Sequence, residues 1–514
     1  MLAQVHALAV SGIDAYLVEV EVHLAAGLPS FTTVGLPYGA VKEGRERVHA
    51  ALVNSGFEFP LKRITVNLAP ADVRKEGSAF DLPVAIGILV ASGQIEAPGL
   101  PEGALVGELG LDGELRGVRG ALPMASAAAR LGLRWLTVPA ANAIEAATVD
   151  RITVLGAKGL AEVVAHLRGQ RRLVPATARR QGSPADGASG VDLADVQAQP
   201  GAKRALEIAA AGGHNLLLVG PPGTGKTMLA RRLPTLLPPL ALDEAIEVTK
   251  VHSVAGLLRP ETGLVTARPF RAPHHTISDA GLCGGGSPPK PGEVSLAHRG
   301  VLFLDELPEF RRSVLETLRQ PLEDGIVTIA RAQAAVTFPA RFILAAAMNP
   351  CPCGHRGDPR RSCVCSDEIV RRYRARLSGP LLDRIDLHLS VSAVGYRDLR
   401  VGQTAESSGV VRARVEAARE RQARRVGAGR PRLNAELGAA DVRRSCRLPP
   451  EGERLLESAM ARLGLSARAF VRTLKLARTI ADLGGRDAIA PADVAEAIQY
   501  RANDRGPPLG EPAG

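Results

Sequence analysis

Hydrophobic and polar positions change their period several times along the chain, and each change predicts a different element. YLVEVEVHL (16–24) alternates with period two and predicts a half-buried strand. VKEGRERVHAALVNSG (41–56) has helical spacing and ends on Gly56, a C-cap residue. KRITVNLAPAD (62–72) reads as a second strand, DLPVAIGILVASG (81–93) as a buried helix and LRWLTVP (133–139) as another strand. Short strands alternating with helices predict an α/β domain over 1–167. RGQRRLVPATARRQGSPADGASG (168–190) is rich in Pro, Gly, Ser and Arg, has no apolar period, and predicts a flexible linker. A second α/β domain is predicted over 191–395. There an amphipathic helix over 195–211 leads into the apolar run NLLLV (215–219), and two further strand-length runs follow, VLFL (301–304) and RFILAAAMN (341–349). IVTIAR and AVTF, within 322–342, predict a hairpin turning near Ala332 and Gln333. Over 396–505 the spacing is helical throughout, with Pro491 suitably early in the last helix, so this part is expected to be all-α. The final GPPLGEPAG (506–514) is expected to be a disordered tail.

The candidate chemistry starts at the end of NLLLV. Gly220, Pro221, Pro222, Gly223, Thr224, Gly225, Lys226 and Thr227 fit the phosphate-loop pattern G-x-x-x-x-G-K-[S/T], with an apolar strand before it and helical spacing after it. Glycines let backbone N–H groups turn towards a phosphate, and the following helix N-terminus adds partial positive charge there. Lys226 is expected to reach the β- and γ-phosphates, and Thr227 to offer its hydroxyl to Mg²⁺. The plainer reading is a Gly-rich turn, which leaves the Lys-Thr pair at its end unexplained. VLFL is followed by Asp305 and Glu306. A buried parallel strand ending in two carboxylates suits a metal ligand, Asp305, beside a base that orients and deprotonates water, Glu306. Asn349 ends the last apolar run and fits a contact to the γ-phosphate or the lytic water; alternatively it is a turn residue before Pro350. The expected ligands are ATP and Mg²⁺.

Composition bounds this picture. At 514 residues the chain is too long for one core, and roughly three domains is the prior. Aromatics make up only 3%, so the cores must be built from Leu, Val and Ala. The net charge of +11 favours a polyanionic partner, or else a basic solvated surface. No stretch is long and apolar enough to span a bilayer, and Asp14, Glu19 and Glu21 interrupt any leader-like run, so a cytoplasmic protein with no membrane partner is expected. Cys351, Cys353, Cys363 and Cys365 form a C-x-C…C-x-C pair around a polar loop, which suits a structural Zn²⁺, with His355 able to replace one thiolate; reduced, unliganded thiols are the alternative. Cys283 and Cys446 stand apart and read as incidental. His274 and His275 are adjacent and read as structural or pore-region residues. Arg371, Arg372, Arg374 and Arg376 flank Tyr373, either as a stacking site for single-stranded nucleic acid or as a salt-bridged helix face.

Several stretches resemble known families. Residues 1–167 resemble the Lon-protease-like domain (ribosomal S5 domain 2-like) fused to bacterial ATPases. In Lys75-Glu76-Gly77-Ser78-Ala79, however, Ala79 stands at the nucleophile position, with Ser78 one residue out of register, and Gly120 stands at the position of the Lys. A scaffold is expected, without the catalytic dyad. QPGAKRALEIA (199–209) resembles the helix before the phosphate loop in magnesium-chelatase-like ATPases. RPFRAPHHTISDAGLCGGGSPPKPGEVSLAHRGVLFLDELPEF (268–310) and SARAFVRTLKLARTIADL (466–483) resemble the ComM/YifB group of magnesium-chelatase-like AAA+ ATPases, and the likeness runs over essentially the whole chain.

That resemblance implies an AAA+ parallel-sheet core and a helical lid in a ring-forming, hexameric class of motor acting on single-stranded or branched DNA. Branch migration in recombination during natural transformation is the implied activity. In PLLDRIDLHL (380–389) it implies that Arg384 is an arginine finger acting on a neighbouring subunit; pairing with Asp383 or Asp386 is the alternative. It further implies that Arg468, with Arg472 as alternate, reaches from the lid to the γ-phosphate. Arg331 on the hairpin would contact a phosphate backbone, and VTKVHSVAGLL (248–258) would form a pore-lining insert. The rival readings are a metal-chelatase-type motor, an ATP-gated remodelling scaffold acting on a protein partner, and a protease, which Ala79 and Gly120 disfavour.

Overall fold

A computed structural model describes residues 1–178, 190–287, 289–331, 334–358, 360–392, 405–426 and 433–502. The N-terminal part opens with a long hairpin, β1 (Leu2–Ser11) and β2 (Asp14–Ala25), where period-two patterning puts Val18, Val20 and Val22 on the buried face. β3 (Ser30–Val34), α1 (Ala40–Asn54) and β4 (Arg63–Ala69) complete a sheet of order β1-β2-β4-β3, with only β3 and β4 parallel. The buried helix α2 (Asp81–Ala91) packs on it. A second sheet is parallel, β5 (Gly103–Leu105), β6 (Trp135–Pro139) and β7 (Thr153–Ala157), with α3 (Ala121–Arg130) and α4 (Leu160–Leu167) against the two layers. The helix expected over 41–56 stops at Asn54, and Gly56 follows in the left-handed region at φ 82°. Residues 168–178, read from sequence as linker, partly join this unit. Pro175 bridges Leu155, and Ala176 N–H donates to Val154 O at 2.8 Å. Most of the remaining linker, the hairpin tip, the 395/396 boundary and the tail fall outside the described residues.

The central part is built on a five-stranded parallel sheet. Helix α5 (Pro200–Gly212) precedes β8 (Leu216–Val219), and α6 (Lys226–Leu236) and α7 (Leu242–Ala255) follow it. The expected helix start at Asp195 is displaced because Ala198 and Gln199 both have positive φ, so the helix begins at Pro200 as its first residue. With β9 (Phe270–Arg271), β10 (Val301–Leu304), β13 (Ile343–Met348) and β14 (Leu387–Ser390), the sheet runs β9-β10-β13-β8-β14. Between β10 and β13 the chain inserts the hairpin β11 (Ile326–Arg331) and β12 (Ala334–Pro339).

The continuous apolar runs have a simple cause: both faces of this sheet are covered. Along β13, Ile343, Ala345 and Ala347 face one core while Leu344, Ala346 and Met348 face the other. The first core is shared with the C-terminal helices α9 (Ser408–Val426), α10 (Pro450–Leu463), α11 (Ala467–Leu483) and α12 (Pro491–Ala502). Val415 and Ile480 lie in the same cluster as Leu206 and Leu233, so these helices pack against α5 and α6. Ion pairs reinforce the join, Arg414 to Glu207 at 2.5 Å and Arg204 to Glu496 at 3.0 Å.

The N-terminal unit docks on the central one through its β1–β2 turn. Ile13 packs against the second core, and Asp14 pairs with Lys250 at 3.4 Å. Gly120, at the head of α3, donates its N–H to Ser253 O at 3.3 Å. The segment 248–258, expected as an insert loop, is therefore mostly the C-terminal half of α7, held against the N-terminal unit.

Candidate functional site

Every element of the nucleotide-binding pattern converges at the carboxyl edge of β8, β10 and β13. Gly220 N–H donates to Met348 O at 3.2 Å, so the phosphate loop leaves the sheet tied to the end of β13. Gly225 holds φ at 85° immediately before α6, a conformation that strains any residue with a Cβ. Lys226 is buried and folds back over the loop, donating to Gly220 O at 2.7 Å, Pro221 O at 2.9 Å and Asn349 Oδ1 at 3.2 Å. Burial pulls its ammonium below the usual lysine range, and the carboxylates of Asp305 and Glu306 oppose that shift. Thr227 Oγ1 donates to Asp305 Oδ2 at 2.7 Å. The hydroxyl and carboxylate expected at Mg²⁺ thus already meet, and their hard oxygen atoms fit that cation. Thr224 closes the loop on itself, donating to Pro221 O at 2.9 Å.

Glu306 follows Asp305 with φ 51°, and its main-chain N–H is held by Asp305 Oδ1 at 2.9 Å. His275 Nδ1 stands 3.5 Å from Glu306 Oε2, with its ring 4.1 Å from that of His274 and edge-on to Phe310. Sequence reasoning set the two histidines aside, because adjacency says nothing about which strand end a loop folds over. Gln199 was missed as well: its left-handed backbone lets Nε2 donate to Thr224 O at 2.8 Å, propping the phosphate loop from α5. Tyr373 is the third addition. It is buried, its Oη takes a hydrogen bond from the Asn349 main chain, and burial raises its pKa to about 12. The stacking reading of the basic run around it fails for this reason. Arg372 pairs with Glu368 at 3.0 Å on α8 (Asp367–Arg374), and Arg376, just beyond that helix, with Glu309 at 3.0 Å, so the run presents a salt-bridged face.

The arginines lie elsewhere. Arg384 sits just before β14, at the opposite edge of the sheet, with its carbonyl accepting from Asn215 Nδ2 at 3.0 Å. It is buried, ion-paired with Glu323, and bonded to Pro380 O at 2.7 Å. Its ion-pair partner is thus neither Asp383 nor Asp386, the latter being held by Arg472 and His214. Arg472 joins it there, ion-paired with Asp386 and donating to Arg384 O at 3.0 Å. Arg468 lies close enough to help hold the Glu323 carboxyl below its usual range, behind the larger effect of Arg384. Arg468, expected to reach from the lid to the γ-phosphate, stands on a C-terminal helix that packs against α5 and α6, near Glu323 and at the end of the sheet away from its own phosphate loop.

The four cysteines of the 351–365 loop come together, with all four sulfur atoms within 4.8 Å of one another. Of the remaining expectations, Arg331 ends β11 but its side chain lies outside the described residues. At the two expected dyad positions, Ala79 and Gly120, there is no nucleophile or amine; beside them Ser78 Oγ donates to Glu108, and the Gly120 N–H makes the interdomain contact. Among the described residues no helix is long and apolar enough to cross a membrane.

Comparison with known proteins agrees with this architecture. Residues 192–399 match the family described as magnesium chelatase, subunit ChlI; residues 20–142 match subunit ChlI of Mg-chelatase, and residues 405–501 its C-terminal part. The chain is 50% identical over 507 residues to the competence protein ComM of Haemophilus influenzae, covering 98% of this chain and 97% of that protein. It is 48% identical over 506 residues to YifB of Salmonella typhimurium, covering 98% of each. The tobacco chloroplastic magnesium-chelatase subunit ChlI is 24% identical over 311 residues, 55% of this chain and 66% of that protein. The chain belongs to the ComM/YifB family of magnesium-chelatase-like AAA+ ATPases.

Proposed function

We propose that this protein hydrolyses ATP as a ring, hexameric by the resemblance, and uses the hydrolysis to move on DNA, driving branch migration in recombination. One observation supports the ring: the phosphate loop and Arg384 lie at opposite edges of one sheet. Leu216 pairs with Leu387, and Gly220 lies four residues beyond Leu216. That is roughly 13 Å of strand at about 3.3 Å per residue. Arg384 lies beyond Leu387 on the other side, out of reach of its own phosphate loop. In a head-to-tail ring each chain would present Arg384, with Arg468 and Arg472 beside it, to its neighbour's γ-phosphate, where positive charge stabilises the transition state.

Within the chain the roles divide as follows. Backbone N–H groups of residues 220–225 and Lys226 would cradle the phosphates. Thr227 and Asp305 would hold Mg²⁺, which when bound neutralises charge on the phosphate oxygens. Glu306 would take the proton of the attacking water, and Asn349, tied to Lys226, would report on the γ-phosphate.

The DNA half of the proposal is supported by the net charge of +11, by the hairpin β11–β12, and by similarity to a relative whose name marks it as a competence protein. The similarity to the tobacco chelatase subunit favours a second reading, a motor for a metal-inserting partner, but it covers only 55% of this chain.

The deciding measurement is the ATPase rate with and without single-stranded, duplex and four-way-junction DNA, with Lys226→Ala as the blank. Stimulation of several-fold that fades as salt rises is expected, because phosphate contacts release counterions. An ATPase indifferent to every DNA would leave the nucleotide site standing and remove the DNA assignment in favour of a protein partner.

A further inference from the structure

The geometry points to a zinc ion held by Cys351, Cys353, Cys363 and Cys365 that positions Asn349 and the phosphate loop for ATP turnover. The first half stands on the cysteines alone; the second rests on the reading of Asn349 and Lys226 as parts of an ATP-hydrolysing site.

The sulfur atoms are spaced for a metal. Cys351 and Cys353 are 3.4 Å apart, and Cys363 lies 3.6 Å from each. A disulfide needs about 2.05 Å, whereas a tetrahedron with zinc–sulfur bonds of about 2.3 Å has edges of roughly 3.8 Å. Main-chain N–H groups also point at the sulfurs: Arg356 at Cys351, His355 and Val364 at Cys353, and Cys365 at Cys363, the last at 3.4 Å. Such donors steady thiolates around a cation. Four soft thiolates in a closed set select zinc over the oxygen-loving cations.

Little else holds this loop. Val364 is 85% exposed, and among the described residues between 351 and 365 only Cys351 joins the buried apolar core. A segment that buries so little apolar surface needs a cross-link to keep one conformation.

The loop also forms a wall of the nucleotide site. Cys351 is two residues beyond Asn349 and fully buried. Gly354, at φ 82°, lies so close to the phosphate loop that a Cβ there would stand 2.7 Å from Pro222 Cδ and 4.0 Å from Asn349 Cγ. Tyr373 grips the Asn349 main chain from behind, and Asn349 Oδ1 accepts from Lys226. Tethering Cys351 and Cys353 to the second thiolate pair therefore fixes both the chain that carries Asn349 and the surface that abuts Pro222. Zinc here would be structural and would not touch substrate; the residues around it are positioning residues.

The test uses the full-length chain purified without added metal. Elemental analysis should find about one zinc per chain, falling to no more than about a tenth in Cys363→Ser/Cys365→Ser. Removing zinc with a chelator should leave binding of a fluorescent ATP analogue within about twofold while lowering turnover at least about tenfold, and adding zinc back should restore it. Hydrogen exchange should rise in 346–365 and in the phosphate loop, with the N-terminal sheet unchanged. Gly354→Ala should keep its zinc and still lose turnover. Iron in place of zinc, or no metal, overturns the assignment. Zinc-free protein that turns over at the loaded rate, or protection lost across the whole chain, overturns the coupling. Lys226→Ala must retain its zinc; a parent chain with full zinc and no ATPase would keep the metal site and remove the coupling together with the nucleotide reading.

Discussion

At Glu306 the backbone enters the left-handed region, φ 51°, at a cost of about 1 kcal/mol or more for a side chain other than glycine. Asp305 Oδ1 secures the turn by accepting the Glu306 N–H, which leaves the Glu306 carboxylate projecting past the end of β10 towards His275. Glu306→Gln should keep nucleotide binding and lower kcat by about 10²–10⁴, the usual worth of a general base; single-turnover hydrolysis against ATP-analogue affinity makes the comparison. His275→Ala should lower kcat several-fold with the ATP Kd changed less than about twofold, as expected of a residue that only aims the base. A matching loss of affinity would instead make His275 a binding residue. Of this site, the residues inside a contiguous pattern were legible in the sequence, namely 220–227, Asp305, Glu306 and Asn349. His275, Gln199 and Tyr373 were not, because each arrives from another element through a turn or a buried contact that leaves no periodic trace.

Among the elements, the sheet was the most legible and the C-terminal helices the least. Uninterrupted apolar runs at 216–219, 301–304 and 343–348 predict strands covered on both faces, which is how β8, β10 and β13 are placed. Helical period likewise predicts α9 to α12, but period does not say which surface a helix covers. The direction of α11 is set by a buried polar set at the entry to β14. Asp386 accepts from the Asn215 N–H at 3.2 Å, faces His214 at 3.3 Å and pairs with Arg472, while His214 Nε2 meets Thr479 Oγ1 at 2.8 Å. Burial alone would raise the Asp386 pKa, yet Arg472 and His214 hold it well below the usual carboxylate range. A depressed carboxyl pKa stabilises the fold above the unfolded value, near pH 4, and that contribution disappears as pH falls through the folded value. Arg472→Met should therefore destabilise the chain by about 3 kcal/mol at pH 7, since it strands a buried charge. The gap to the parent chain should begin to narrow below about pH 4, where the unfolded carboxyl takes up its proton, and close only as pH falls through the folded value. Urea melts at pH 7 and pH 3.5 would expose the contrast. A gap that persisted unchanged at the lower pH would mean that Arg472 stabilises by packing alone.

On the scale of the whole molecule, the division of the site makes a prediction that no single chain can satisfy. Lys226→Ala removes the phosphate contact but leaves Arg384 at the far edge of the sheet; Arg384→Ala does the reverse. Each variant alone should lose about 10³-fold or more of its ATPase, the usual worth of an arginine finger or of its phosphate-binding counterpart. Mixed before assembly, they should regain activity, because an intact phosphate loop of the Arg384→Ala chain can then face an intact Arg384 of the Lys226→Ala chain. With equal amounts and random order in a head-to-tail ring, roughly a quarter of the interfaces are competent, so recovery should approach that fraction of the parent rate. The same mixture diluted until rings dissociate should fall silent again. If Arg384 served its own chain, or were only a structural partner of Glu323, mixing would recover nothing at any concentration. Arg468→Ala in place of Arg384→Ala extends the argument to the C-terminal helices. Rescue there would mean that α11 acts across the same interface.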